Sequence, residues 1–579
     1  VAGAADQPTA GVISVSADTL SALRASTLSI GGIYSYFDGQ SSGGDSARVY
    51  FSSGSALGRA VNVRDGATLR AGQIFLVGGQ IEVDGGAVLD TRGMGRPGVD
   101  SGLGYLFANA IGESAASYSP GVLAVSNGWL ELLPSVGSGR LTVKDGASLL
   151  TEGTIGFAAP GGLALGDVNL GARYLAVSQD QINIGTAASL AAAQAAGAMQ
   201  PGWQLTQTTL DRLLRPSPSA GVPALERLSL TAGGAFNFYG SVTLDTGASP
   251  VQMVFNTPAF YGLGENSDTV RIVTRDFVWN GVATGNGNAD RPYASMPATP
   301  VQPGGPGTGS GSLVIDAQRV QFGYDALSQP QRQAELERLA LGFGSVRIGA
   351  TDRVTANNKG LLSVGQSRDA DGMLHGGTLS IVTPLLTGQA GSAMRYAAGG
   401  AIDVSAPGGA AAVDTASIGE LGASLTLQGR SVSLDTRVAL PSGVLKLMAD
   451  GDIVLGDGAQ LDLSGRDATF YDITRHSWGG SVTLASTSGS VAQSAGSRID
   501  VSAARENAGS LAVRAEAGRV TLAGALRAAG GGAGFSDGRF ELAVRQIGDA
   551  DFAALNQQLN GAGFFGARGF VVKQGDLAV

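Results

Sequence analysis

Short apolar runs at every second position recur along the chain, each closed by a glycine corner. Val61-Asn-Val63-Arg-Asp65-Gly66-Ala67-Thr-Leu69 returns as Leu141-Thr-Val143-Lys-Asp145-Gly146-Ala147-Ser-Leu149 and as Ile453-Val-Leu455-Gly-Asp457-Gly458-Ala459-Gln-Leu461. Looser copies are Ile81-Glu-Val83-Asp-Gly85-Gly86-Ala87-Val-Leu89 and Val242-Thr-Leu244-Asp-Thr246-Gly247-Ala248. Two apolar residues at period two define a short strand with one buried face. The Asp-Gly or Gly-Gly corner supplies a residue free to take positive φ. Alanine then fits a tight inward site, and leucine opens the next strand. Gly66 and Gly86 are 20 positions apart, which predicts the length of one coil.

Similar strands continue as Leu379-Ser-Ile381, Ile402-Asp-Val404, Leu425-Thr-Leu427, Val482-Thr-Leu484, Ile499-Asp-Val501, Leu511-Ala-Val513 and Val520-Thr-Leu522. Near-uniform spacing, with no Cys or Trp pivots, argues against immunoglobulin-like sandwiches and for stacked coils. The expected fold is all-β, a right-handed parallel β-helix (β-solenoid) with loop and short helical insertions, continuous over residues 1–579. At roughly 4.8 Å per coil, about 20 coils would make a rod on the order of 100 Å long. Breaks in the repeat place insertions near 91–135, 186–226, 255–311, 328–341, 465–478 and 549–560. The second holds two short helices, an Ala-rich one and Gln207–Leu214, closed by Pro216 and Pro218. The third reads as loop. Residues 328–341 read as one amphipathic helix with Ser328 as its N-cap.

Composition agrees with strands and turns. Of 579 residues 91 are Gly, without a collagen period, and 43% are hydrophobic. Asp outnumbers Glu by 35 to 12. The net charge of −9 is spread thinly, and only four of the 38 basic residues are Lys (Lys144, Lys359, Lys446, Lys573). No basic stripe offers counterion release, so a nucleic-acid partner is not expected. No run of about 18 apolar residues is present, so no span of a membrane is expected. With no Cys, the chain suits passage across a membrane in the unfolded state. Its ends read as those of an internal fragment.

Val168-Asn-Leu-Gly-Ala-Arg-Tyr-Leu-Ala-Val177 with Gln181-Ile-Asn-Ile-Gly185, the paired Gly240-Ser-Val-Thr-Leu-Asp245 and Gly480-Ser-Val-Thr-Leu484, and Gly496–Ser502 form a further set of related stretches. Together they resemble the β-helical body of filamentous-haemagglutinin-like exoproteins. The likeness lies in the pattern over most of the chain. The Asn-Pro-Asn-type motifs of that family's secretion module are missing, so the resemblance implies a segment downstream of it. It also implies two-partner secretion from a Gram-negative bacterium through an outer-membrane transporter. The product would sit outside the cell or on its surface, in adhesion, biofilm contact or display of a terminal effector. Its receptor would be a host or bacterial surface glycan or protein.

Chemical motifs add little. Gly93-Met-Gly95-Arg-Pro-Gly98 and Gly561-Ala-Gly563-Phe-Phe-Gly566 match a dinucleotide fingerprint, yet neither follows a strand and opens a helix. Gly39-Gln-Ser41-Ser-Gly43 matches a nucleophile elbow, but the only histidines, His375 and His476, stand in no triad context. Two histidines and no cysteines exclude the usual zinc spacings. Asp369-Ala-Asp371-Gly372 begins like a calcium loop, but Ser380 stands where Glu is needed. Asp450, Asp452, Asp457 and Asp462 read as corner residues. No cofactor, metal or catalytic residue is therefore expected. All four tryptophans (Trp129, Trp203, Trp279, Trp478) fall in or beside insertions, as clamps or as ligand-contact aromatics. The alternatives to an adhesive rod are a β-helical polysaccharide-degrading enzyme, with paired Asp on neighbouring coils, and an autotransporter passenger.

Overall fold

A computed structural model describes residues 13–32, 34–37, 48–51, 60–98, 106–108, 120–132, 137–215, 221–282, 295–324, 335–409 and 413–575. The fold is mostly β, 50% strand and 8% helix, with a large parallel sheet consistent with a β-solenoid. Two compact units divide the chain. The first holds Val1–Gly264, Val270–Pro306 and Tyr324–Arg338; the second holds Glu265–Thr269, Gly307–Gly323 and Leu339–Val579.

In the first unit each turn of chain gives one strand to each of three ladders. Ala60–Val63, Gln80–Val83, Arg140–Val143 and Gly162–Leu165 form one, all parallel. Thr68–Arg70, Val88–Asp90, Ser148–Leu150 and Asn169–Gly171 form the next. The corner between them is the repeated motif. Gly66, Gly86 and Gly146 have φ of 74°, 74° and 83°. At Gly86 the positive φ favours glycine, and a Cβ there would also press on the Asp65 carboxylate at 2.2 Å. Ala67, Ala87 and Ala147 each donate their amide to the residue three back and are fully buried. Val61 faces Ile81, the expected stride of 20, but Ile81 then faces Leu141 and Leu141 faces Leu163. Spacing is thus far from uniform, because excursions lengthen some coils.

The third ladder departs from a parallel fold. Gly121–Ser126 lies inside the expected insertion 91–135, yet it is a fully buried strand, antiparallel to both Gln73–Gly78 and Thr154–Ala158. Gly121–Ser126 runs in the reverse direction between its two neighbours, and the apolar run Val122-Leu-Ala-Val125 fills the place of a parallel rung. Further on, Tyr174–Gly185 and Arg227–Tyr239 pair in parallel through a corner, with a register shift between Gln179 and Gln181.

Two expectations are overturned. Residues 255–311 are not simply loop: Ala259–Leu263 and Thr269–Trp279 are strands. Phe255, Phe260, Phe277 and Trp279 are core residues at 0, 0, 0 and 1% exposure. The alternation Val270, Ile272, Thr274, Asp276 is inward-facing, which is the strand signal that the flanking Pro/Gly-rich run masked. Nor do residues 328–341 form a helix. Glu335–Leu341 is a strand in which Leu336, Arg338 and Ala340 are buried while Glu335 and Glu337 are exposed, a period of two. Ladder pairing overrides the helix propensity of Glu, Leu and Arg. Ser328 lies outside the described residues, as do Pro216 and Pro218. The helices Ala187–Ala195 and Gln207–Leu214 are present, capped by Thr186 and Thr206.

In the second unit the stack is aliphatic. Leu379, Ile402, Val432, Ile453, Val491 and Val520 follow one another in register, beside Ile381, Val404, Leu434, Leu455, Gln493 and Leu522. Met394, Leu425, Leu445, Val482, Leu511 and Phe540 form a second column. Fully burying each such side chain contributes about 1.5–3 kcal/mol. Residues 465–478 project as the hairpin Asp467–Phe470/Ile473–His476, and 549–560 lie in the helix Asp549–Ala562.

Candidate functional site

The ladder brings two carboxylates together that the sequence separates. Gln460–Asp462 pairs in parallel with Arg498–Asp500, so Asp462 and Asp500 are in register on adjacent rungs, with α-carbons roughly 4.8 Å apart. Each begins an Asp-x-Ser step. Asp462 Oδ1 accepts from Ser464 N (3.2 Å) and Ser464 Oγ (2.7 Å), and Asp500 Oδ1 accepts from Ser502 N (3.1 Å) and Ser502 Oγ (2.6 Å). Asp462 Oδ2 accepts from Thr415 Oγ1 at 2.7 Å and from Arg466 at 2.9 Å, while Arg498 pairs with Asp500 Oδ2. Burial pushes the Asp462 carboxyl up, but hydrogen bonds from Arg466, Ser464 and Thr415 outweigh it and hold the group below its ordinary value.

This arrangement suits a charged clamp better than acid–base chemistry. A two-carboxyl glycosidase needs one carboxyl kept protonated as general acid. Asp462 is driven the other way, and both oxygens of each carboxylate already accept hydrogen bonds. The clamp ties the Asp414–Ser417 turn and the base of the 467–476 hairpin to the stack, since Arg466 also donates to Thr415 O at 3.0 Å.

Both histidines sit on hairpins, and each meets an aspartate. His375 Nε2 lies 2.8 Å from Asp369 Oδ2, and His476 Nδ1 lies 2.7 Å from Asp467 Oδ1, its cross-strand neighbour. Asp369 closes its own turn. Its Oδ1 accepts from Asp371 N at 3.0 Å and Met373 N at 2.8 Å, closing the turn. The His375 bond first, then those backbone donors, hold its carboxyl below the ordinary value. Among the described residues no group of three or more His, Cys, Asp or Glu could hold a metal, and no helix is long and apolar enough to cross a membrane. Gly561 and Gly563 close a helix rather than open one, with Gly563 in the left-handed region at φ 85°; phosphate cradles lie at helix N-termini. The Gly39–Gly43 stretch lies outside the described residues.

The tryptophans separate. Trp203 (5% exposed) and Trp279 (1%) are interior, which corrects their reading as ligand contacts. Trp279 stacks on Phe260 at 4.0 Å and donates Nε1–H to Thr257 O at 2.9 Å. Trp129 lies under the Arg227 guanidinium, 5.6 Å from ring centre to Cζ, and Arg227 in turn pairs with Glu131 at 2.7 Å. Trp478 alone is open to solvent, on the same segment as the exposed Tyr471 and Ile473.

Sequence reasoning missed the buried Arg338. Its guanidinium donates to Trp279 O (2.7 Å) and Asn280 O (2.8 Å), satisfying carbonyls where the strand ends. Its inward phase in Leu336-Glu-Arg338-Leu-Ala340 was the available signal. Against known proteins, the chain matches no family model, no curated protein and no solved structure.

Proposed function

We propose that the chain is a right-handed parallel β-helix serving as an extracellular structural and adhesive rod, of the filamentous-haemagglutinin-like type exported by two-partner secretion. The observation that carries this reading is the stacked, in-register columns of inward aliphatic residues, from which hairpins and a helix project. A stack of this kind gives reach and stiffness, and excursions can vary without disturbing it. Contact with a surface glycan or protein then falls to the hairpins, where Tyr471, Ile473 and Trp478 are exposed. The clamped state of Asp462 and Asp500 favours this rod over a polysaccharide-degrading enzyme.

Beads coated with the chain are presented to epithelial cells, to bacterial biofilm and to a glycan array. Retention that falls when residues 467–476 are replaced by a two-residue turn is the expected result. Turnover of a polysaccharide that disappears with Asp462→Asn or Asp500→Asn would replace the rod with the enzyme.

A further inference from the structure

One face of the second unit stops a rung short. Val432–Asp435, Ile453–Leu455, Val491–Gln493 and Val520–Leu522 follow one another in parallel register. The first residue of each rung gives its amide to the carbonyl preceding the next: Val432 N to Asp452 O (3.0 Å), Ile453 N to Ser490 O (2.9 Å), Val491 N to Arg519 O (2.9 Å). The third residue of each accepts from the next: Leu434 O from Gly456 N (2.9 Å), Leu455 O from Ser494 N (2.9 Å), Gln493 O from Ala523 N (3.1 Å). By the same register Val520 N–H and Leu522 C=O face outward, and among the described residues neither has a partner. After the next strand, Arg539–Val544, the chain turns at Gly548 into the helix Asp549–Ala562 instead of laying down the following rung.

A groove of about 490 Å³ occupies that place. Val520, Leu522 and Leu542 line it from the strands, Asp551 and Leu555 from the helix, and Arg519 beside Val520. The helix is a fixed wall: Leu555 is buried, and Gln558 Nε2 donates to Gly524 O at 2.7 Å. Arg519 and Asp551 are exposed, with no ion-pair partner among the described residues.

We propose that this groove binds an extended peptide strand of a partner protein, added parallel to Val520–Leu522. Main-chain hydrogen bonds to Val520 and Leu522 would continue the ladder, as in other strand additions. Apolar residues two apart stack on Val520 and Leu522, the aliphatic part of a lining that also carries Gln546, Asp551 and Gln558, and a carboxylate one residue before the first of them pairs with Arg519. Asp452-Ile-Val-Leu455, a rung of the same face, has that pattern.

A fluorescein-labelled peptide of residues 450–458 is titrated against the full chain and followed by anisotropy. Saturable binding is expected, absent with a scrambled peptide. Val520→Pro removes the outward amide and should weaken binding at least about tenfold relative to Val520→Ala, which keeps that amide, equivalent to about 1.4 kcal/mol. Ala554→Arg, at an exposed groove position on the helix, should do the same, so the test survives if either variant fails to fold. Arg519→Glu should weaken the native peptide and prefer one carrying Asp452→Lys. No saturable binding, or binding indifferent to both groove variants, overturns the proposal. Binding seen only after removal of residues 576–579 overturns it too, and assigns the groove to the chain's own end.

Discussion

The rungs from Arg227 to Trp279 and those from Leu379 to Val513 solve one packing problem with different side chains. In the first set rings meet rings. Phe260 lies 5.6, 5.3 and 5.4 Å from Phe236, Phe238 and Phe255 and stacks on Trp279. In the second, Leu, Ile and Val repeat in column with hardly an aromatic between them. A column of branched aliphatics needs only that each rung repeat its neighbour, so it can be extended one coil at a time. An aromatic cluster is a set of specific edge-to-face contacts, in which one ring serves several rungs and a change at one position reaches all of them.

The sharpest way to break that contrast is to remove the shared ring. Phe260→Ala should cost about 3–5 kcal/mol. The loss should show in the tryptophan fluorescence transition, because Trp129, Trp203 and Trp279 all belong to the first unit. Leu434→Ala should cost about 2–5 kcal/mol, but fluorescence should barely report it while far-ultraviolet circular dichroism does. Equal effects of both substitutions on both signals would mean the two sets of rungs unfold as one.

A smaller test concerns the one polar break in the aliphatic columns. Gln493 stands between Leu455 and Leu522, 2% exposed, and among the described residues neither of its amide atoms has a hydrogen-bond partner. Gln493→Leu should stabilise the protein by about 1 kcal/mol, read as a rise in Tm; a fall would show that the amide is satisfied in solution.

The smallest expected effect is on pH dependence. Because Asp462 is held below its ordinary value of 3.8 in the fold, its contribution is present above that pH and is lost as the pH falls through the folded value. Asp462→Asn should therefore lower Tm at neutral pH, by a change worth about 1 kcal/mol, and flatten the acid limb of the Tm–pH curve. An unchanged acid limb would remove Asp462 from the account.

The same contrast explains what the sequence made legible. The corner Asp65-Gly66-Ala67 is readable because each role is local: positive φ for Gly, a small inward side chain for Ala. Within Arg227–Tyr239, Thr231 to Tyr239 are buried throughout, so the alternation that marks a half-buried strand is missing. Trp279 reads as peripheral because a Pro/Gly-rich run follows the alternating strand Thr269–Trp279 and hides it. Glu335–Leu341 reads as helix because its residues favour helix, and its ladder pairing overrides that preference. The register of Asp462 with Asp500 was hidden by the excursion at 465–478, which lengthens that coil. The reversed strand Gly121–Ser126 carries no local sign of direction at all.

The stacked register of the corners tests the fold most directly. Ala67 and Ala87 occupy equivalent corners of adjacent coils, with Val88 N donating to Ala67 O at 2.8 Å. Their α-carbons should be roughly 4.8 Å apart, inside the range of about 4.4–6.8 Å that a disulfide accepts. Ala67→Cys with Ala87→Cys should crosslink under mild oxidation, whereas Ala67→Cys with Val77→Cys, half a coil away, should remain free thiols. If the second pair closes as readily as the first, adjacent coils do not stack at a stride of 20 residues and the parallel ladder is wrong.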